Sequence, residues 1–287
     1  MSLVSNIKKV FLLINSERVN NSFAETVRKY LNTKNISFLE SDLISDKLPT
    51  ADDLQDIDLA VSLGGDGTLL TCARVLAGTS IPIHPVNLGT VGFITEVASD
   101  EWQTSFVSYA KGELGLSIRM MLKAEVIRDG KSVLEVHGLN DAVIAAEGRS
   151  KIIRLLIKLS NTSVASYNAD GMILATPTGS TAYSLAAGGP IVHPEMEAFI
   201  ITPICPFTLS NRPIVIPAAE LVEVIIPGEQ NKGINLMVDG IIVSKLQPRD
   251  SILFTRSSNE TIIIRSNERN FYQILNSKLD WAGKPHA

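Results

Sequence analysis

Over the first 115 residues, short continuous apolar runs alternate with amphipathic stretches. Val10-Phe11-Leu12-Leu13-Ile14, entered from Lys8-Lys9 and closed by Asn15, has the pattern of a strand buried on both faces. From Glu17 to Leu31 the apolar positions Val19, Phe23, Val27 and Tyr30/Leu31 recur at helical spacing, which predicts an amphipathic helix covering that strand. Ile36 to Leu39 is a weaker strand candidate. Ile57-Asp58-Leu59-Ala60-Val61-Ser62-Leu63 is a stronger one, and it runs into Gly64-Gly65-Asp66-Gly67-Thr68. A helix over Leu69 to Leu76 and a strand over Ile81 to Val86 follow. Such alternation predicts an α/β domain with a parallel sheet, whose ligands bind at the carboxyl ends of strands, and Gly64 to Thr68 falls at such an end.

Beyond Gly115 the pattern changes. Ser117 to Val126, Val133 to His137, Ala142 to Ala146 and Ile152 to Leu159 are strand-length pieces with no long helical pattern between them. Ile214 to Ile216, Leu221 to Ile226, Ile234 to Val238, Ser251 to Thr255 and Thr261 to Arg265 continue the theme, with tight turns at Asp129-Gly130 and Asp239-Gly240. A mostly β second domain is therefore expected, with one exception at Gly179 to Gly189, a segment dense in small residues. Helical spacing returns from Phe271 to Trp281, which is expected to pack back on the first domain. The expected boundaries are 1–115, completed by 267–287, for the α/β domain and 116–266 for the β-rich one.

Composition narrows the classes of function. A chain of 287 residues suits about two domains, and 45% hydrophobic residues can fill two cores. Thirty acidic against 26 basic residues leave a net charge of −4 with no basic block, which argues against nucleic acid or an anionic membrane as a partner. No apolar run approaches the roughly 18 residues of a membrane span, and Met1 to Lys9 lacks the apolar core of a leader. Cys72 and Cys205 lie far apart, so neither a disulfide framework nor a CxxC metal site is present. A soluble protein of the reducing cytoplasm is expected.

Several familiar sites fail on spacing. Gly130-Lys131-Ser132 lacks the glycine a Walker loop needs at 125, where Glu125 stands. A dinucleotide fingerprint from Gly65 fails at Leu70. His84, His137, His193 and His286 form no HExxH pair and are read as structural or solvated, so no protein-held metal site is expected.

Two clusters remain. In Gly64-Gly65-Asp66-Gly67-Thr68, glycines let a phosphate approach backbone N–H groups, and the following helix N-terminus offers further donors. A carboxylate repels phosphates, so Asp66 needs a purpose: holding Mg²⁺, accepting a proton from an attacking hydroxyl, or capping the helix. The second cluster runs through Tyr167-Asn168-Ala169-Asp170-Gly171, Thr176 to Ser184 and Ala186 to Pro190. Its small and hydroxylated residues, with one aromatic face in Tyr183, suit a sugar and a base, or else a closely packed helix between turns. No GxSxG elbow surrounds Ser180, so a serine hydrolase is not supported.

These residues resemble the NAD kinase family, enzymes that phosphorylate the 2′-hydroxyl of NAD's adenosine ribose to make NADP. The likeness runs through Gly64 to Thr68, Asn87 to Phe93, Leu139-Asn140-Asp141, Asp170-Gly171, Thr176 to Pro190, Thr202 to Pro206, Ser210 to Pro213 and Lys278 to Trp281, nearly the whole chain. The glycine loop alone is shared with lipid kinases and phosphofructokinases; Thr176 to Tyr183 in order with it is specific. The resemblance implies an α/β domain and a β-sandwich-like domain with NAD in the cleft between them, ATP as phosphate donor with Mg²⁺, and homodimers or homotetramers. It implies Asp66 as the catalytic carboxylate with Gly67 beside the ligand, Asn140 and Asp141 holding adenosine, and Asp170 near the nicotinamide end. Thr181, Ala182, Tyr183, Ser184, Leu185 and Ala186 would line the nucleotide pocket. Lys151 and Asn168 fall where some relatives have basic or polar ligand contacts. Three positions depart from the family pattern: Asp141 stands for the usual glutamate, Phe207 for a frequent histidine and Ile241 for a frequent glutamine. A lipid kinase, or an NAD sensor without turnover, is the rival reading; phosphorylation of diacylglycerol would mark the first, and NAD binding without NADP formation the second.

Overall fold

In the computed structural model, which describes residues 7–17, 21–44, 48–148, 152–208, 211–230 and 232–280, the apolar runs of the first part become a parallel sheet. The chain divides into two compact units, one formed by residues up to Ile118 together with those from Thr261 onward, the other by Arg119–Glu260. The first contains β1 (Lys9–Ile14), α1 (Asn21–Thr33), β2 (Ser37–Asp42), β3 (Leu59–Gly64), α2 (Asp66–Val75), β4 (Ile83–Asn87), β5 (Val97–Ala98) and α3 (Trp102–Ala110). β2, β1, β3 and β4 lie side by side in that order, all parallel, and β5 runs parallel to β4. The chain goes to one side of β1 for β2 and to the other for β3, so the topological switch point, where open α/β sheets bind ligands, falls at the carboxyl ends of β1 and β3. Gly64, Gly65 and Asp66 lie at that end of β3.

Both faces of β1 and β3 are buried, which is why their sequences are unbroken apolar runs. α1 contributes Ala24, Val27 and Leu31 to a core shared with Leu12, Val61 and Phe106. Tyr30, Trp102 and Phe106 meet there edge to face. His84 is fully buried with Nε2 bonded to Ser105 Oγ at 2.9 Å, and burial pushes its pKa down to about 4.

The remaining elements are β6 (Leu116–Arg128), β7 (Lys131–Gly138), β8 (Asp141–Ala146), β9 (Ile153–Leu159), β10 (Thr162–Ala169), β11 (Gly171–Ala175), α4 (Tyr183–Ala186), β12 (Ala198–Ile204), β13 (Ile214–Pro217), β14 (Val222–Ile225), β15 (Ile234–Val238), β16 (Ile241–Leu246), β17 (Ser251–Ile264) and α5 (Phe271–Leu279). In the second unit, β13-β12-β11-β8-β15-β16 form an antiparallel six-stranded sheet. β10, β9, β14 and β17 form antiparallel neighbours, with β6 and β7 as a hairpin. Ile144, Leu174 and Phe199 from the six-stranded sheet share one core with Leu155, Val222 and Phe254, which makes this unit a sandwich. α5 belongs to the first unit; Asn270 and Gln273 form a reciprocal capping box at its start, and Ile274 and Leu275 are its buried side.

The elements differ from the predicted ones in identifiable ways. α1 begins at Asn21 rather than Glu17, and Val19 lies outside the described residues. α2 begins at Asp66, three residues earlier than predicted, because Gly65 is extended at the N-cap and Asp66-Gly67-Thr68 makes the first turn. Helix propensity disfavours that glycine, but an acidic first residue suits the helix dipole. β10, β11, β12 and β16 are additional strands, and the two segments predicted over 251–265 are one strand, β17.

Candidate active site

The first part of the site is built where β3 ends. Gly64, Gly65, Asn87, Leu88 and Gly89 line a cleft of about 240 Å³ at the carboxyl ends of β3 and β4, which pair through Gly64 and Asn87. Gly67, in the first turn of α2, has open space where a side chain would stand. Backbone N–H groups at a helix N-terminus favour an anion, and the glycines of this wall let it come close to the backbone.

Asp66 is not a cap. The N-cap is Gly65, with no side-chain cap hydrogen bond, and Asp66 is already the first residue of the helix, so the capping alternative for Asp66 fails. Its carboxylate instead holds the turn before β5: Oδ2 accepts from Phe93 N–H at 3.0 Å, and Oδ1 accepts from Ile94 N–H at 3.3 Å, Thr95 N–H at 3.0 Å and the Thr95 hydroxyl at 2.7 Å. Gly92 makes this approach possible, since a β-carbon there would overlap Asp66 Oδ1 and Thr95 Oγ1. Among the described residues nothing else bonds Oδ2, which retains an unused lone pair.

The second part lies in the other unit, at the start of β8. Asn140 and Asp141 are buried, and a single side chain fixes their backbone: Asp239 accepts from Leu139 N–H at 2.8 Å, Asn140 N–H at 2.7 Å and Asp141 N–H at 3.2 Å. Asp239 and Gly240 both have positive φ and join β15 to β16 as a two-residue turn. From the sequence, Asp239-Gly240 reads only as that turn, and the role of the carboxylate is missed. Asn140 is held from its other side by Thr176 N–H, which donates to its carbonyl at 2.8 Å. Its side-chain Oδ1 is buried without a partner, as is Thr178 Oγ1. A buried acceptor left unpaired is costly.

Burial, with the Asp239 carboxylate nearby, pushes the pKa of Asp141 up to about 7. Below the ordinary carboxylate range Asp141 is protonated in folded and unfolded chains alike. As pH rises to about 7 the unfolded chain gives up its proton first, so stability is lost across that interval. Asp141→Asn removes this loss. Urea unfolding at pH 4.5 and 7.5 is expected to show wild type losing on the order of 2 kcal/mol relative to Asp141→Asn. Parallel pH dependences of the two proteins would rule out the raised pKa of Asp141.

The other predicted residues are placed as follows. Thr181 ends a 3-10 turn over Thr178–Thr181 and Ala182 follows it, both half-buried; Tyr183 and Ala186 are exposed on α4 and Leu185 is half-buried. Ser184 is turned inward, its hydroxyl 3.0 Å from Thr202 Oγ1. Asn168 is exposed near the end of β10, and the half-buried Asp170 follows it, its carbonyl accepting from Ala146 N–H. Asp141 and Asp170 therefore mark opposite ends of β8, about 17 Å apart along the strand. Lys151 lies outside the described residues.

The family described as "ATP-NAD kinase N-terminal domain" matches residues 7–114, and "ATP-NAD kinase C-terminal domain" matches 139–266. The chain is 39% identical over 280 residues to an NAD kinase of Treponema denticola, covering 96% of this chain and 98% of the relative. It is 45% identical over 226 residues to an NAD kinase of Desulforamulus reducens, with 78% of each chain covered. A yeast NADH kinase solved with NADH superposes with a TM-score of 0.87 at 25% identity, over 97% of this chain and 89% of that one. An NAD kinase from Archaeoglobus fulgidus solved with ATP has the same fold, with a TM-score of 0.76 at 22% identity, over 96% of this chain and all of that one. With a glycine cradle and clasped carboxylate in one unit, a strand-start Asn-Asp pair in the other, and relatives alike over nearly its full length, the chain belongs to the NAD kinase family, enzymes that phosphorylate NAD to NADP.

Proposed function

We propose that the chain carries out this reaction by in-line attack of the adenosine 2′-oxygen of NAD on the γ-phosphate of ATP, with Asp66 as the catalytic carboxylate. The new O2′–Pγ bond forms as the bond from Pγ to the β-phosphate oxygen breaks; the hydroxyl proton passes to Asp66 Oδ2 and ADP leaves. The observation that carries the assignment is the Asp66 geometry: among the described residues four donors fix the carboxylate beside a glycine-rich cleft and leave one lone pair of Oδ2 unused. Phosphoryl transfer needs positioning and neutralisation more than covalent help, and the backbone N–H groups of the glycine cradle and the α2 N-terminus supply both. In this reading Mg²⁺ enters as Mg·ATP, as part of the substrate, where it would neutralise phosphate charge.

In this reading Asn140 Oδ1 and Asp141 accept hydrogen bonds from adenosine, and Asp170 serves the nicotinamide end. The separation of Asp141 and Asp170 along β8 favours an extended dinucleotide over a mononucleotide. The NADH of the yeast enzyme and the ATP of the archaeal one support the pair of substrates. We infer in addition a homodimer or homotetramer, favoured by apolar side chains exposed on the edge strands of the six-stranded sheet, Ile214 and Val215 on β13 and Ile241 and Ile242 on β16. A cytoplasmic setting fits two cysteines that are both free. No helix among the described residues is long and apolar enough to cross a membrane.

The deciding experiment is NADP formation by the purified protein with Mg·ATP and NAD, with polyphosphate as alternative donor and NADH as alternative acceptor. Calorimetric binding of NAD without NADP formation from either donor would replace the kinase with a sensor. Tyr183 tests the nucleotide pocket. It is 46% exposed, so its ring is available to stack on a flat part of the nucleotide, worth on the order of 1 kcal/mol. Tyr183→Phe is expected to leave the KM for NAD nearly unchanged and Tyr183→Ala to raise it about fivefold. Equal losses in both variants would assign the contact to the hydroxyl instead.

A further inference from the structure

Asn87 and Thr95 have no role in the mechanism above, yet both are buried and their side chains lead to Asp66. Gly89 N–H can only donate, so the Asn87 atom that faces it at 2.8 Å is Oδ1. Nδ2 is thereby turned to Thr95 Oγ1, to which it donates at 2.6 Å. The proton that Thr95 carries itself then goes to Asp66 Oδ1 at 2.7 Å, because a carboxylate only accepts. Each link has one possible direction, and none needs an assumed proton position. With the N–H groups of Ile94 and Thr95 also aimed at it, Oδ1 is saturated, whereas among the described residues Oδ2 accepts from Phe93 alone.

We propose that Asn87 and Thr95 are positioning residues, a hydrogen-bonded relay that orients the Asp66 carboxylate so that Oδ2 alone meets the attacking hydroxyl. The proposal rests on Asp66 being the catalytic carboxylate. Its geometry adds a link between the two reactants. Asn87 and Gly89 stand in the wall of the same cleft as Gly64 and Gly65, so one chain of hydrogen bonds sets both the wall offered to the phosphates and the orientation of the acceptor. Backbone donors alone would hold the loop. The Thr95 hydroxyl is the strongest donor on Oδ1 by distance, and its removal frees the carboxylate to turn without releasing the turn that carries it.

The test is a cycle of Thr95→Val, Thr95→Ser, Asp66→Asn and the double variant Thr95→Val/Asp66→Asn, with kcat and the KM for NAD and ATP measured separately. Valine keeps the shape of threonine and removes only the hydroxyl. Thr95→Val is expected to lower kcat about 10- to 100-fold with both KM values within about threefold, and Thr95→Ser to restore kcat to within about threefold of wild type. On the Asp66→Asn background Thr95→Val should change the residual rate by less than about threefold, since a residue that acts through Asp66 has nothing left to position. Should Thr95→Val not fold, Thr95→Cys, whose thiol is a weaker donor of similar size, is expected to lower kcat about 3- to 10-fold. Wild-type kcat in the Val or Cys variant, with Asp66→Asn inactive, would overturn the relay and leave Asp66 in its role. An equal loss from Thr95→Val on both backgrounds would also overturn it. Near-normal turnover by Asp66→Asn would bring down the reading of Asp66 itself and the relay with it.

Discussion

Asp66→Asn is expected to slow NADP formation by about 10²–10⁴-fold while NAD binding, measured calorimetrically, changes by less than about tenfold. The amide keeps the size of the carboxylate but has almost no basicity, so a proton released by the 2′-hydroxyl has nowhere to go. The substitution is not silent for the loop. The carbonyl oxygen of asparagine can still serve Ile94, Thr95 N–H and the Thr95 hydroxyl, but the amide NH₂ then faces Phe93 N–H, donor against donor. One bond of four is lost, which costs about 1–3 kcal/mol of stability. The two effects separate cleanly in the measurements. Loss of rate with binding retained and a modest fall in thermal midpoint places the carboxylate in the transition state. The same fall in midpoint with turnover above a tenth of wild type would make Asp66 a clasp for the 93–95 turn and nothing more.

Much of the first unit can be read from the chain because its strands are buried on both faces. β1 and β3 announce themselves as apolar runs, and α1 by the spacing of Phe23, Val27 and Leu31. The glycine loop is equally visible, since three glycines around a carboxylate after such a strand have few other uses. The second unit hides more. β12 carries Pro203, which argues against a central strand, yet Pro203 sits beyond Ile201, the last residue paired with β13. β17 looks broken at Ser257-Ser258-Asn259, but buried Ser257 accepts from Asn259 N–H and pairs with His137 Nδ1 at 2.8 Å, so polar residues there continue the strand. The supports of the site are the least legible of all. Asp239 reaches residues about 100 positions away, and Thr95 bonds Asp66 across 29, so neither leaves a local pattern in the sequence. The inward turn of Ser184 leaves no local signal either: nothing in its segment announces that its hydroxyl lies 3.0 Å from Thr202 Oγ1.

Gly179→Ala is expected to be the most damaging single methyl group in the second unit. A β-carbon at this position would overlap the carbonyl oxygen of Asn140 and crowd its carbonyl and α-carbons, all backbone atoms. The conflict cannot be relieved by a rotamer change. Nor can either backbone move freely: Asn140 is tied by Thr176 N–H on one side and Asp239 on the other, and Thr176 Oγ1 donates to Leu139 O at 2.5 Å while accepting from Gly179 N–H at 3.2 Å. Forcing the two segments apart breaks part of this set, at a cost of about 3 kcal/mol, or about 6–12 °C in thermal midpoint. Because the displaced atoms carry Asn140 and Asp141, the KM for NAD should rise at least about tenfold, while the KM for ATP, read in the glycine cradle of the other unit, stays within about threefold. That asymmetry is the informative result. A stability loss with both KM values unchanged would mean that the Asn140 backbone can shift without consequence for NAD, and the adenosine role given to Asn140 and Asp141 would have to be withdrawn.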